Sequence, residues 1–198
     1  MKIPIRLLVF ALVSGSILFV SCNNENSSGE TSSDTTATTK DEAEDQNDSA
    51  LATKAAEKDA QFVVDVVAFN YGEVKLAKLA QQKSSNKELK DAAKMIETDH
   101  LAVLSDLKNI AIAKSITVPT EENGEAKDRV KDLSDDKAGE FDKEWLETLL
   151  DSHKNSISKF ENAANDVSDP ALKNFVNTVL PKLRIHHDKL MECHKKLK

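Results

Sequence analysis

Four ionisable side chains fall at positions where a helix would otherwise present apolar residues to a core. Glu73, His100, His153 and His186 each interrupt one of four long apolar repeats. One carboxylate and three imidazoles make a ligand set that zinc, iron or copper accepts, whereas burying these groups unpaired is costly. Their positions therefore predict a site for one divalent metal ion, provided that the helices bring them to one level.

Three acidic residues near these positions could support the ligands from outside. Asp99 precedes His100, Asp151 lies two residues before His153, and Glu97 forms a Glu-x-x-His pair with His100. A second interpretation is that the inward groups hydrogen-bond to one another or to buried water and set the register of the helices. Both interpretations stay open at the level of the sequence.

Four long segments with heptad-like apolar spacing must position these side chains. The spacing predicts helices over about residues 57–83, 87–114, 140–165 and 170–197, with a short extra helix near 125–133. The alternation typical of strands is almost absent. The sequence therefore predicts an all-α domain.

The connections between the segments predict an antiparallel, up-down-up-down four-helix bundle. The break at 84–86 is short enough to force a helical hairpin, and Asp169-Pro170 is a strong start signal for the last helix. With both hairpin turns at the same end, the four inward groups would lie within roughly 10 Å along the bundle axis. Gly72, inside the first helix, indicates close approach of another helix.

The N-terminus has the pattern of an export signal. Residues 1–21 combine Lys2 and Arg6 with an apolar run that is too short to span a membrane. The run ends in a lipobox-like sequence at Cys22, which predicts acylation of that cysteine; the alternative is an ordinary signal peptide with a chance cysteine. Asn23 favours an outer-membrane anchor facing the periplasm, so we expect a lipid-anchored protein of the cell envelope.

The composition of residues 22–56 predicts a disordered acidic tether. Asn, Ser, Thr, Asp and Glu dominate this segment, and no aromatic residue occurs in it. Residues 57–198 are then the bundle domain. The net charge of −7 argues against nucleic acid as a partner. The expected partners are the membrane, through the lipid anchor, and an envelope protein.

Six short segments occur in an order that carries a family resemblance: Asp59-Ala60-Gln61-Phe62-Val63, Gly72-Glu73-Val74-Lys75-Leu76, Met95-Ile96-Glu97-Thr98-Asp99-His100, Ile116-Thr117-Val118-Pro119, Phe141-Asp142 and Leu180-Pro181-Lys182-Leu183-Arg184-Ile185-His186. Together they resemble the domain of unknown function 4142, a family of exported bacterial helical bundles. The resemblance implies a ferritin-like fold with Glu or His at positions 73, 100, 153 and 186, and it implies no activity. Ser152 stands where the family usually has Asp, and Leu150 stands where a di-iron ferritin has a second Glu-x-x-His glutamate. The resemblance therefore implies a single-metal site or none.

Motifs of common enzymes are missing from the sequence. It has no Gly-rich phosphate loop, no nucleophile elbow and no basic stripe with aromatic residues. We therefore expect a non-enzymatic interaction or stress-related role for a membrane-tethered envelope protein. The alternative is a metal-binding or redox bundle that uses the inward Glu and His residues.

Overall fold

The structure is a computed structural model that describes residues 37–137 and 139–197. The predicted signal peptide, the predicted lipidation site Cys22 and the first part of the predicted tether lie outside these residues. Within them the chain forms six helices and no strand, which confirms the all-α prediction. The helices are Lys40–Ala50 (α1), Lys54–Lys83 (α2), Lys87–Ala113 (α3), Gly124–Asp135 (α4), Phe141–Asp166 (α5) and Pro170–Leu197 (α6). No helix in the described ranges combines the length and the apolarity needed to cross a membrane.

Three of the four long helices begin at a side chain that accepts hydrogen bonds from the first turn. Thr53 accepts from the amide of Ala56 at the start of α2, and Asn86 accepts from two amides at the start of α3. Asp169 does the same for α6, with Oδ1 at 2.9 Å from the nitrogen of Ala171. These contacts satisfy amides that a helix end leaves free, so the sequence itself specifies where the helices begin.

The predicted disorder through residue 56 is wrong for residues 40–50, which form α1. The helix begins with a capping box between Thr39 and Glu42. Asn47 then binds the backbone of Thr117 twice, donating to its carbonyl and accepting from its amide at 2.8 Å each. Polar composition concealed this helix, because capping and hydrogen bonds to a distant loop hold it rather than a broad apolar face.

The predicted up-down-up-down order is also wrong, because the two hairpin turns lie at opposite ends of the domain. Ser168, in the turn between α5 and α6, donates from its backbone amide to Asp59 near the start of α2 (3.0 Å). At the other end, the thiol of Cys193 near the end of α6 lies 3.9 Å from the carbonyl oxygen of Glu88 at the start of α3. The order of the four long helices is therefore up, down, down, up.

The long connection between α3 and α5 produces this order by crossing from one end to the other. Its helix α4 packs along α2, where a Cβ added to Gly72 would meet the Cβ of Ala126 at 2.7 Å. At the far end of α4, the ammonium of Lys83 donates to the carbonyl oxygens of Leu133 and Asp136, both at 2.9 Å. The chain thus enters α5 beside the end of α2, and the expected close approach at Gly72 is confirmed.

The apolar core consists of two clusters that meet at a polar layer. One cluster fills the end near the α5–α6 turn, and its large members include Phe62, Val66, Leu107, Phe160 and Val176. The other fills the end near the α2–α3 turn and includes Leu76, Ile96, Trp145, Leu149 and Leu190. Burial of these side chains is the main force that holds the helices together. The polar layer lies near the middle of all four long helices.

Candidate metal centre

Three histidines from three helices meet in the polar layer. His100 comes from α3, His153 from α5 and His186 from α6, and none is more than 2% exposed. One ring nitrogen of each lies within 4.8 Å of the others. The structure therefore brings together three of the four predicted ligands.

The ring of His153 has one nitrogen committed to the backbone of its own helix. Its Nδ1 lies 2.9 Å from the carbonyl oxygen of Leu149. A carbonyl only accepts, so Nδ1 carries the hydrogen and Nε2 keeps a lone pair. Burial, together with the nearby His186, lowers the pKa of His153 to about 3. The ring is therefore neutral at physiological pH.

The ring of His186 is oriented in the same way, by a carboxylate. Its Nε2 donates to Oδ2 of Asp99 at 2.9 Å, and Lys182 donates to the other oxygen of Asp99 at 3.2 Å. Partial burial opposes ionisation of Asp99, but these two hydrogen bonds outweigh it and lower its pKa. Burial lowers the pKa of His186, although Asp99 partly offsets this. His186 thus holds its Nδ1 lone pair toward Nε2 of His153, at 3.4 Å.

The third member of the group is His100. Both of its ring nitrogens are buried and have no hydrogen-bond partner in residues 37–137 and 139–197. Its ring centroid lies 5.4 Å from that of His186 and 5.6 Å from that of His153. Burial lowers the pKa of His100 well below its usual value, and the other two histidines add to this effect. Both nitrogens of the neutral ring are hydrogen-bonding groups, so burial without partners is costly.

Glu73 lies on the other side of His153, outside the group of three. Its Oε2 is 3.6 Å from Nδ1 of His153, the nitrogen already committed to Leu149. Its Oε1 accepts a hydrogen bond from the hydroxyl of Ser152 at 2.8 Å. Burial raises the pKa of Glu73 to about 7, against the opposing effects of Ser152 and Arg129. Glu73 is therefore placed to support His153 rather than to meet the lone pairs.

Of the three acidic residues predicted to support the ligands, the structure places Asp99 at the site. Glu97 instead accepts a hydrogen bond from Gln81 at 2.7 Å, in the contact between α2 and α3. Asp151 is exposed. Glu97 and Asp151 are thus near the histidines in sequence but do not contact their rings.

Sequence reasoning missed three polar residues of the layer. Ser152 replaces the Asp that the family usually has, and it donates a hydrogen bond to Glu73. Lys182 pairs with Asp99 from the same helix as His186. Asn70 is buried on α2, and its three-residue spacing from Glu73, which puts both on one helical face, could have revealed it.

The geometry of the two oriented rings matches that of adjacent ligands on a tetrahedral ion. Nitrogens bound at 2.0–2.1 Å to such an ion are about 3.3–3.4 Å apart, and Nε2 of His153 is 3.4 Å from Nδ1 of His186. The nitrogen of His100 lies within 4.8 Å of both. A shift of the His100 ring that brings its nitrogen to the same spacing would complete a three-nitrogen site.

Comparison with known proteins finds a family but no characterised relative. Residues 42–192 match the protein family described as Domain of unknown function (DUF4142). No curated protein and no solved structure matches the chain.

Proposed function

We propose that this chain, which belongs to the DUF4142 family, binds one divalent transition-metal ion through His100, His153 and His186. The description of the family assigns no function, so the proposal rests on the site itself. Imidazole nitrogens suit zinc, copper and iron, and we propose an ion of this group.

The lone pairs of His153 and His186 are the single observation that carries the proposal. The carbonyl of Leu149 and the carboxylate of Asp99 take the N–H of each ring, so the two facing nitrogens at 3.4 Å are both acceptors. No proton lies between two neutral rings of these tautomers, and burial opposes adding one. A cation satisfies both lone pairs at once, as well as a nitrogen of His100.

The supporting contacts are those that metal-binding histidines usually have. Such histidines give their second N–H to a carboxylate or a backbone carbonyl, which sets the tautomer and makes the free nitrogen more basic. His186 has the first kind of partner and His153 has the second. A purely structural polar layer would pair the histidines with one another, whereas both nitrogens of His100 lack a partner in the part of the chain that the structure describes.

We also propose that the domain is ferritin-like. The long crossover through α4 and the up-down-down-up order support this, because ferritin-like bundles have one long connection between two hairpins. In such bundles the metal ligands project inward from facing helices near mid-length. The three histidines have this placement.

A metal titration of the purified full chain tests the proposed site. Zinc, copper(II) and iron(II) are added to metal-free protein, and bound metal per chain and melting temperature are measured. We expect one ion per chain, with a stabilisation of about 2.7 kcal/mol when the free ion is at about 100 times its Kd. Loss of a hydrogen-bond partner of a metal ligand typically weakens metal binding roughly 10–100-fold. His100→Ala removes a ligand itself, so it should weaken binding at least as much.

A matched control uses a histidine elsewhere in the domain. His194 is half-buried near the end of α6 and lies 4.0 Å from Glu147. His194→Ala should bind the ion as the unaltered protein does. Equal losses in both variants, or no saturable binding by the unaltered chain, would rule out the proposed centre.

An envelope location is a separate proposal, supported by the sequence alone. We propose that Cys22 is acylated after export and anchors the domain to the outer membrane, where it meets an envelope partner. Cells that express the chain with a labelled fatty acid should incorporate the label, and Cys22→Ser should lose it and appear in the soluble fraction. Equal labelling of both proteins would refute the anchor.

A further inference from the structure

A small cavity lies beside the imidazoles, lined by residues of α2, α3, α5 and α6. Its volume is about 10 Å³, close to the smallest space that holds one water molecule. The rings of His100 and His186 line it, and so does the side chain of Asn70. Much of the remaining wall is apolar, with Val103 and Phe160 among its members. A ligand in this cavity would touch two of the proposed metal ligands.

Asn70, one of the lining residues, has a buried side-chain oxygen without a partner in the described part of the chain. The residue is 3% exposed, and its Nδ2 donates to the carbonyl oxygen of Val66 at 2.7 Å. Exchanging the amide nitrogen and oxygen would place two acceptors against each other, so this contact decides the orientation of the amide. Oδ1 is then the atom that this contact does not use, and it has no hydrogen-bond partner among the described residues. A buried amide oxygen of this kind requires a donor.

Among the residues that the structure describes, none donates a hydrogen bond to Oδ1. The two N–H groups that the neighbouring rings of His153 and His186 carry are already given to Leu149 and Asp99. Lys182, which also lines the cavity, donates to Asp99. His100 also lines the cavity and its neutral ring carries one N–H, but no hydrogen bond joins that ring to Oδ1. A molecule that fits the cavity itself can supply the donor.

We infer that a metal ion held by the three histidines carries one water molecule in its remaining position, and that Asn70 orients this water by accepting its hydrogen bond. The inference rests on the proposed metal site and adds the class of its fourth ligand. That ligand is a neutral hydrogen-bond donor with one heavy atom, because a cavity of about 10 Å³ has no room for an organic substrate. Asn70 is a positioning residue in this arrangement.

Copper(II) is a suitable probe, since imidazole sites bind it strongly and its electron paramagnetic resonance spectrum responds to its ligands. The purified full chain is loaded with copper(II) in ordinary water and in water enriched in oxygen-17. We expect the enriched solvent to broaden the spectrum, because a directly bound oxygen-17 nucleus couples to the unpaired electron. An unchanged spectrum from protein that holds one copper per chain would overturn the inference.

Variants of Asn70 test its role separately from that of the histidines. Asn70→Leu removes the acceptor and fills the cavity with an apolar group, so the broadening should be lost while one copper per chain is retained. Asn70→Asp keeps an acceptor of the same size and should keep the broadening. Asn174→Leu, at an exposed position of α6, is the matched control and should also keep it.

The outcomes distinguish this inference from the proposed function. Failure of the unaltered chain to bind copper would refute both. Binding with equal broadening in the unaltered protein and in Asn70→Leu would refute the role of Asn70 and leave the three-histidine site intact. Should Asn70→Leu fail to fold, the oxygen-17 result for the unaltered chain and for Asn70→Asp still decides whether water is bound.

Discussion

Hydrogen bonds outside the centre decide what each histidine can do within it. His153 and His186 have identical side chains, but a backbone carbonyl takes Nδ1–H of the first and a carboxylate takes Nε2–H of the second. Different nitrogens therefore face inward, each with a free lone pair. A hydrogen bond likewise positions the buried side chain of Glu73, which accepts it from the hydroxyl of Ser152.

The burial of Glu73 predicts a pH-dependent contribution to the stability of the metal-free protein. In the folded state its carboxyl keeps a proton to about pH 7, whereas the usual pKa is 4.5. Between these values the unfolded chain binds fewer protons at this residue, so its contribution to stability falls as pH rises. Gln at this position has no proton to lose. The free energy of unfolding of Glu73→Gln should therefore rise by on the order of 3 kcal/mol relative to that of the unaltered protein between pH 4.5 and pH 7.5.

Chemical denaturation of both metal-free proteins at several pH values measures this difference. The lowered pKa values of the three histidines act in the opposite direction, because they cost stability as pH falls below about 6.5. They are present in both proteins and cancel in the comparison. Parallel stability curves for the two proteins would show that Glu73 is not held neutral by folding.

Among the helices, α2 has the most neighbours, since it packs against α1, α3, α4 and α5. It approaches α4 closely at Gly72. A Cβ added there would meet the Cβ of Ala126 at 2.7 Å, a separation that real Cβ atoms essentially never show. The crossover helix can therefore lie against α2 only because residue 72 has no side chain.

Gly72→Ala should displace α4 and destabilise the domain. Overpacking of this kind costs about 1–3 kcal/mol, partly offset by the better helix propensity of Ala, which is worth up to about 1 kcal/mol. Ala126→Gly in the same chain should restore the space, so the double variant should be more stable than the sum of the two single changes implies. Urea unfolding of the four proteins measures the coupling, and simple additivity would contradict the close approach.

At the scale of the whole described domain, the crossover sets the direction of α5 and α6 but leaves the polar layer in place. His100, His153 and His186 lie near the midpoints of their helices. Reversing a helix about its midpoint exchanges its ends and hardly moves its central residue. For this reason the polar layer could be predicted even though the predicted order of the helices was wrong.

The direction of α5 and α6 also decides which residues meet at the two ends of the domain. Because α5 runs from the end of α2 toward its start, Phe160 packs edge-on against Phe62, with ring centroids 5.4 Å apart. Trp145, near the start of α5, donates its indole N–H to the carbonyl oxygen of Leu76 at 2.9 Å. The two apolar clusters thus depend on the crossover, whereas the histidine group between them does not.

The sequence by itself determined the four long helices and the inward positions of three buried histidines and a buried glutamate. These features follow from apolar periodicity and from helix caps, which are properties of neighbouring residues. Asp99 at the site and the close approach at Gly72 were also predicted, because each depends on a single position within a helix.

Only the tertiary structure decided which end of the domain each hairpin turn occupies, because a connection as long as 114–140 can return to either end. It also decided that Glu73 meets the outer nitrogen of His153, since that depends on side-chain direction across two helices. The formation of helix α1 could not be predicted either, because Asn47 of this helix hydrogen-bonds to Thr117, which is far away in the sequence. Contacts between distant residues depend on how the helices are arranged in space, and no local pattern records that arrangement.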